Sequence, residues 1–478
     1  MRAQVNDGMQ DDPMISRRAV LKSLGLWGAL QAWPASAPAA DSDRWRVATF
    51  QVDVTPPVGH PLLGSSFGPA KSVLDSLDAR GLVLTGPEKP IVLIAIDWCE
   101  LRNDAFDRWR TVLAEAAGTT PARVLVHTVH QHDAPYFDLT AQKLLDESRP
   151  GGKMLDAEFH EESVQRAARS LKDVLARSVE VTHIGTGQAR VEQIASSRRV
   201  DENGKVSFRR YSRCSDAALR ALPDGEIDPW LKTISLWNGD VPLAAVSAYA
   251  CHPMSYYGEG EISGDFPNLA RKVREAAQPG VFQIYASGCC GDVTAGKYND
   301  GSKGNRPLFA ERLSTAMASA WNVTTKHPLQ RIRFQTEQMV LPHSEVPSMA
   351  EASLRERLNN GNVPLAARAQ AAMGLSSLSR HADGHPIDVP MLDFGPAQLL
   401  LLPAESFVAY QLFAQQQRPD SLVMTLGFGE SSSGYIPTNQ AFREGFREEH
   451  GYTWTRPGAE DLIQATLKRL LRPDQSSR

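Results

Sequence analysis

The 478-residue sequence predicts an α/β protein whose core is a mixed, largely parallel sheet with crossover helices. Three segments carry that prediction, each reading as strand, helix, strand, the pattern of parallel strands joined by a crossover. In the first, Ile91-Val92-Leu93-Ile94-Ala95-Ile96 is an unbroken apolar run suited to a strand buried on both faces. Asn103 is placed to cap a helix in which Phe106, Trp109, Val112, Leu113 and Ala116 recur at helical spacing, and Gly118 follows its end. Val124-Leu125-Val126 opens the next strand. The middle segment runs from Leu243 to Tyr249, through a helix over 267–277, to a strand over Val281 to Tyr285. The third runs from Leu399 to Leu402, through a helix over 406–416, to a strand over Leu422 to Leu426. Segment 185–230 is polar and reads as loop-rich, and 331–390 as a mixture of strand and helix.

Composition narrows the function classes. Hydrophobic residues make up 42%, and 51 Lys+Arg against 55 Asp+Glu leave a net charge of −4. That balance excludes a nucleic-acid binder held by a basic surface and a disordered polyelectrolyte. No apolar run reaches the roughly 18 residues that a transmembrane helix needs. The five cysteines, Cys99, Cys214, Cys251, Cys289 and Cys290, are an odd number with no Cys-x-x-Cys spacing, and they read as buried structural thiols rather than a thiolate metal site.

The first 39 residues read as a twin-arginine signal peptide. Ser16-Arg17-Arg18-Ala19-Val20-Leu21-Lys22 precedes a short apolar stretch from Leu24 to Trp33, and Ala37-Pro38-Ala39 offers small residues for cleavage. The expectation is export of a folded chain, starting near Ala40, to the periplasm or beyond, with the twin-arginine translocase as a partner.

In open α/β sheets ligands bind beyond the carboxyl ends of the strands, and the unusual residues of this chain stand there. His127-Thr128-Val129-His130-Gln131-His132-Asp133 follows one strand, Cys251-His252-Pro253 another, and Cys290-Gly291-Asp292-Val293-Thr294 a third. The third unit supplies Pro403-Ala404-Glu405 at one strand end and Gly429-Glu430-Ser431-Ser432-Ser433-Gly434-Tyr435 at the other. Strand alternation would put His130 and His132 on one face, one free to bind a metal and the other to face substrate. Each residue alone has a plainer reading: His252 as a satisfied core histidine, Glu405 as a first-turn helix carboxylate, Tyr435 as a buried ring. Together, two imidazoles, a carboxylate and a further oxygen donor suit zinc with an open position, hence metal-dependent hydrolysis. Asp265 and Asp292 are candidates to hold the histidine hydrogens. Glu444, Glu448 and Glu449 with Arg443 and Arg447 read as a solvated, ion-paired helix face.

Taken in order, these motifs resemble the neutral/alkaline (non-lysosomal) ceramidase family, in its amino-terminal catalytic domain. The matching segments are Asp53-Val54-Thr55-Pro56-Pro57, Thr128-Val129-His130-Gln131-His132, Ala250-Cys251-His252-Pro253, Gly291-Asp292-Val293-Thr294, Pro403-Ala404-Glu405 and Gly434-Tyr435-Ile436-Pro437-Thr438. The resemblance implies zinc ligands at His130, His252, Glu405 and Tyr435. It implies His132 near the substrate carbonyl, an arginine from Arg198-Arg199 (Arg198 being the better match), and Thr294 in place of the family's serine. The implied reaction is attack of zinc-activated water on the amide of ceramide. Asp133-Ala134 and Ala295-Gly296-Lys297 depart from the family pattern, and Phe446-Arg447 stands where it has a second catalytic tyrosine, the nearest here being Tyr452. Residues 40–478 are expected to form a single ceramidase-like catalytic domain without the family's carboxyl-terminal immunoglobulin-like domain. The leading reading is an exported zinc amidohydrolase acting on a sphingolipid or another N-acylated small molecule or lipid. The alternatives are the same metal site acting on an ester of a glycan or glycolipid, and a non-catalytic exported metal- or sugar-binding protein.

Overall fold

The core is three sheets, and each contains one of the three crossover units. A computed structural model describes residues 43–446 and 452–472, so the expected signal segment and Arg447, Glu448 and Glu449 lie outside the described residues. In the first sheet β1 (Arg46–Asp53), β2 (Asp78–Thr85), β3 (Ile91–Ile96) and β4 (Val124–Thr128) lie in that order. The second contains β5 (His183–Arg190), β6 (Trp230–Asn238), β7 (Val241–Tyr249) and β8 (Phe282–Ser287). The third contains β9 (Arg333–Met339), β10 (Ile387–Asp393), β11 (Ala397–Leu401) and β12 (Leu422–Leu426). The crossovers are α1 (Asn103–Ala117), α2 (Asp265–Ala277) and α3 (Val408–Gln417).

The mixed α/β class is the one expected, and β3–β4, β7–β8 and β11–β12 pair parallel as the crossovers require. The parallel share is smaller than the sequence suggested, because every other pairing described in these sheets is antiparallel. The cause is turn chemistry. Gly239-Asp240 joins β6 to β7 and Phe394-Gly395-Pro396 joins β10 to β11, with Gly239 and Gly395 at φ +58° and +91°. Connections that short admit only a hairpin.

Other boundaries moved for local reasons. Asn103 is the first residue of α1, at φ +50°, rather than its cap. The Asn103 backbone N–H donates to the Glu430 carboxylate (2.8 Å) instead, while its amide donates to Asp138 and Ser376. Helix α3 starts two residues later than expected because Glu405–Ser406 forms a short strand beside Tyr435–Ile436. Strand β5 takes residues assigned to loop: a Cβ at Gly187 would meet the Ala320 carbonyl at 2.1 Å, so the glycines that weaken its strand signature admit a packed helix. All five cysteines are free and buried. No helix among the described residues is long and apolar enough to cross a membrane.

The parallel edge strands β4, β8 and β12 meet at one side chain. His127 Nδ1–H donates to the Gly427 carbonyl (2.8 Å), and its Nε2 accepts the Ser287 N–H (3.0 Å). Gly427 N–H donates to the Ser287 carbonyl (3.0 Å) and Thr128 N–H to the Phe428 carbonyl (3.1 Å). Burial lowers His127 to about 4, so the ring is neutral and holds one tautomer.

His127→Leu leaves a buried carbonyl and a buried N–H unpaired, at about 1–3 kcal/mol each. Urea unfolding at pH 7 should therefore show a loss of about 2–5 kcal/mol. The folded-state pKa lies below that of the unfolded chain, so the wild-type His127 contribution is present above about pH 6.5 and is lost as pH falls toward 4. The stability gap between wild type and variant should narrow over that window; a gap that widens would contradict a neutral clamp.

Candidate metal centre

The strand ends deliver four side chains to one place. His130 stands two residues beyond β4 at φ +75°, its ring stacked on Phe428 at 4.1 Å. His252 stands three residues beyond β7 and is fully buried. Glu405, beyond β11, pairs in register with Tyr435 on the neighbouring short strand, which sets carboxylate and phenol side by side. Ligand atoms of His130, His252 and Glu405 all lie within 4.8 Å of one another. The left-handed turn at His130 ends the alternation expected there: its ring meets that of His132 edge-on at 4.9 Å.

Hydrogen bonding fixes what the histidines offer. His130 Nδ1 lies 3.0 Å from the Cys99 carbonyl and His252 Nδ1 2.6 Å from the Cys290 carbonyl. A carbonyl only accepts, so each Nδ1 carries a hydrogen, and in the neutral tautomer this fixes, Nε2 is the bare nitrogen that faces Glu405. Burial, then the charge of Arg198, lowers His252 to about 4. An unprotonated His252 Nε2 therefore lies 2.9 Å from a carboxylate oxygen, with buried His130 Nε2, which has no hydrogen-bond partner, 3.6 Å from the same oxygen. Two acceptors at that distance repel unless a cation lies between them, and this donor set fits a metal ion. Cys99, His130 and His132 also cluster, but Nδ1 of His130 is committed to a carbonyl and burial pushes the Cys99 thiol well up, so this trio adds no second ion.

Around this group, Arg198 Nη1 donates to the Tyr435 hydroxyl (2.9 Å), and the residue is 5% exposed. Burial acts to lower Arg198, yet Tyr435 and Glu405 outweigh it and keep it charged. Arg199 points elsewhere, forming two hydrogen bonds to Glu444. His132 Nδ1 donates to the His130 carbonyl (3.2 Å), and its ring faces Tyr257 at 5.2 Å. The Thr294 hydroxyl bonds to the Arg210 and Tyr211 carbonyls, and Thr294 pairs with Ser196 on the strand leading to Arg198, which makes it a brace for that strand. Phe446 packs edge-on against Tyr435 at 5.8 Å. The Tyr452 phenol is pushed up to about 12 by burial and then by the charge of Glu100. Asp265 and Asp292 do not hold the histidine hydrogens, which go to carbonyls; they accept the Ser255 and Val408 backbone N–H groups.

Sequence reasoning missed the bracing carbonyls of Cys99 and Cys290, which any residue could supply. It also missed Glu100, whose carboxyl lies 3.8 Å from His130 Nδ1 and is pushed up to about 7 by burial and then by Glu405. Its position beyond β3 was the available signal.

No protein-family model matches the chain, and no curated protein matches it. Solved structures do. The neutral ceramidase from Pseudomonas aeruginosa superposes with a TM-score of 0.64 over 91% of this chain and 77% of that one, at 16% identity. A ceramidase complexed with C2 gives 0.65 over 90% and 75%, at 15% identity. The fold is ceramidase-like, as the motif order implied.

Removing a cation from this site restores the repulsion between Nε2 and carboxylate. Chelator-treated protein should therefore unfold at a lower temperature than metal-replete protein, with the difference shrinking in His252→Ala. Equal midpoints in the wild type with and without chelator would show that no cation lies there.

Proposed function

We propose that this chain is an exported zinc-dependent hydrolase that cleaves the N-acyl amide bond of a sphingolipid or another N-acylated substrate. The observation that carries the reading is the pair of bare imidazole nitrogens facing the Glu405 carboxylate, inside a fold shared with neutral ceramidase. Two imidazole nitrogens, a carboxylate and a phenol oxygen suit zinc. When bound by His130, His252, Glu405 and Tyr435, it supplies the positive charge that activates water and polarises a carbonyl.

The chain's own residues do the rest. Carbonyls fix the tautomer and direction of both ligand histidines. His132 donates its Nδ1 hydrogen to the His130 carbonyl, so its Nε2 is the acceptor for the proton of attacking water and then the donor to the departing amine nitrogen. The water oxygen bonds to the acyl carbon, the C–N bond breaks, and acid and amine leave. Arg198, charged and with a buried, unpaired Nε, supplies hydrogen bonds to the oxyanion as it forms. Export rests on the order of Arg17-Arg18, the apolar stretch and the Ala37-Pro38-Ala39 site.

The protein purified after export should hold about one zinc per chain at this site, lost in His130→Ala/His252→Ala. A panel of N-acyl amides paired with matched esters assigns the bond: hydrolysis of esters alone would replace the amide reading. Arg198→Ala should lower kcat by about 10²–10³-fold with metal content retained. Arg199→Ala, which loses only a rim ion pair, should stay within about threefold of wild type.

A further inference from the structure

The loop that follows His252 turns back onto His132 and is pinned there from both sides. Asp133 Oδ1 accepts the Gly258 N–H (2.9 Å), and the Asp133 carbonyl accepts the Ser263 N–H (3.1 Å). Across the loop, buried Arg306 donates to the Ser255 hydroxyl (3.0 Å), the Tyr256 carbonyl (2.7 Å) and the Ser263 hydroxyl (2.9 Å). The amide of fully buried Asn299 donates to the Ser255 and Ser212 carbonyls, at 2.7 Å each, which ties this loop to the segment carrying Tyr211 and Ser212. Buried polar contacts satisfied in this number rigidify a segment, so the loop has one position over the site.

That position delivers Tyr257. Its ring faces that of His132 at 5.2 Å, and its hydroxyl lies 3.5 Å from the Ser212 hydroxyl. Beside Ser212, the Tyr211 ring lies 5.9 Å from the Arg198 guanidinium. Among the described residues the exposed aromatic rings are Tyr211, Trp230 and Tyr257, so two of the three stand next to the two groups assigned to the reaction. Tyr257 is 38% exposed, and an aromatic ring open to solvent beside a reacting imidazole offers an apolar face for a ligand to cover. His132 returns its proton to the departing amine nitrogen while Arg198 holds the oxyanion. A ring against His132 therefore lies on the amine side of the scissile bond.

We propose that Tyr257 is a specificity-determining residue that packs against an apolar amine half of the substrate, and that Asp133 is the positioning residue that sets it there through Gly258. The assignment rests on the amide-hydrolase reading above and adds which half of the substrate this loop reads. It also gives a use to one departure from the ceramidase pattern: at Asp133 a carboxylate next to His132 reaches the backbone of the loop that covers His132.

The test is kcat/KM of the metal-replete full chain on two amide series. One fixes the acyl chain and varies the amine from methylamine to a long-chain amino alcohol; the other fixes the amine and varies the acyl chain. Wild type should prefer the larger apolar amine, and Tyr257→Ala should cut that preference by about 10–100-fold with the acyl preference unchanged. Tyr257→Phe, which keeps the ring, should keep the preference. Asp133→Ala should reproduce the Tyr257→Ala profile and add nothing to it in the double variant. Asp133→Asn, whose side-chain oxygen still accepts the Gly258 N–H, should restore the wild-type profile. A merely structural defect would lower every substrate alike. If Asp133→Ala fails to fold by circular dichroism, Asp133→Ser takes its place. An amine preference equal in wild type and Tyr257→Ala would overturn the assignment, and a wild-type preference in the Asp133 variant would remove Asp133 from it. Failure of the underlying reading looks different: wild type then turns over no amide in either series, and this inference falls with it.

Discussion

Three sheet edges converge on the His127 imidazole, and the position of every proposed ligand follows from that junction. A free edge strand leaves a row of N–H and C=O groups without partners. Here β4, β8 and β12 are joined at their carboxyl ends by one buried ring and the cross-bonds around it. His130 lies three residues beyond His127 on the same segment. His252 and Glu405 follow β7 and β11, the parallel partners of β8 and β12. A shift of one sheet against another would separate the imidazoles from the carboxylate. A neutral ring fits this junction because it carries a hydrogen on one nitrogen and a lone pair on the other. It donates to one sheet and accepts from the next, which a charged ring could not do.

The candidate centre is built by opposing local comfort. His130 sits in a left-handed conformation that non-glycine residues seldom adopt, and the Nε2 atoms of both histidines face a carboxylate rather than a donor. Such local costs collect at functional sites because the surrounding fold over-determines them. The same logic gives Arg198 its place: its backbone N–H donates to the Asp292 carbonyl (2.7 Å), and its strand pairs through Ser196 and Thr294, so the guanidinium reaches Tyr435 from a fixed base.

The sequence made legible whatever depends on side-chain type in a periodic pattern: the three crossover units, the buried thiols and the polar residues at strand ends. His130, His252, Glu405, Tyr435 and Arg198 were all named from sequence, and the fold draws them together. What stayed hidden is backbone. The Cys99 and Cys290 carbonyls that orient the histidines leave no signature, nor does the positive φ of His130, which turned an expected strand alternation into an edge-on pair. The antiparallel majority of the sheets was encoded in glycine turns outweighed by the crossover pattern, and β5 was obscured by glycines that serve packing. Asn103 looked like a cap because of its side chain, while the cap came from Glu430, 327 positions away.

The proposed ligands span residues 130 to 435, and the partner that holds Glu405 in register is Tyr435 itself. During synthesis the two histidines emerge long before the carboxylate and phenol that complete the set. Until the last sheet has docked, the nascent chain offers only scattered imidazoles with ordinary, weak affinity for metal. If these residues hold the proposed ion, loading waits for Glu405 and Tyr435 to arrive and so reports completed assembly.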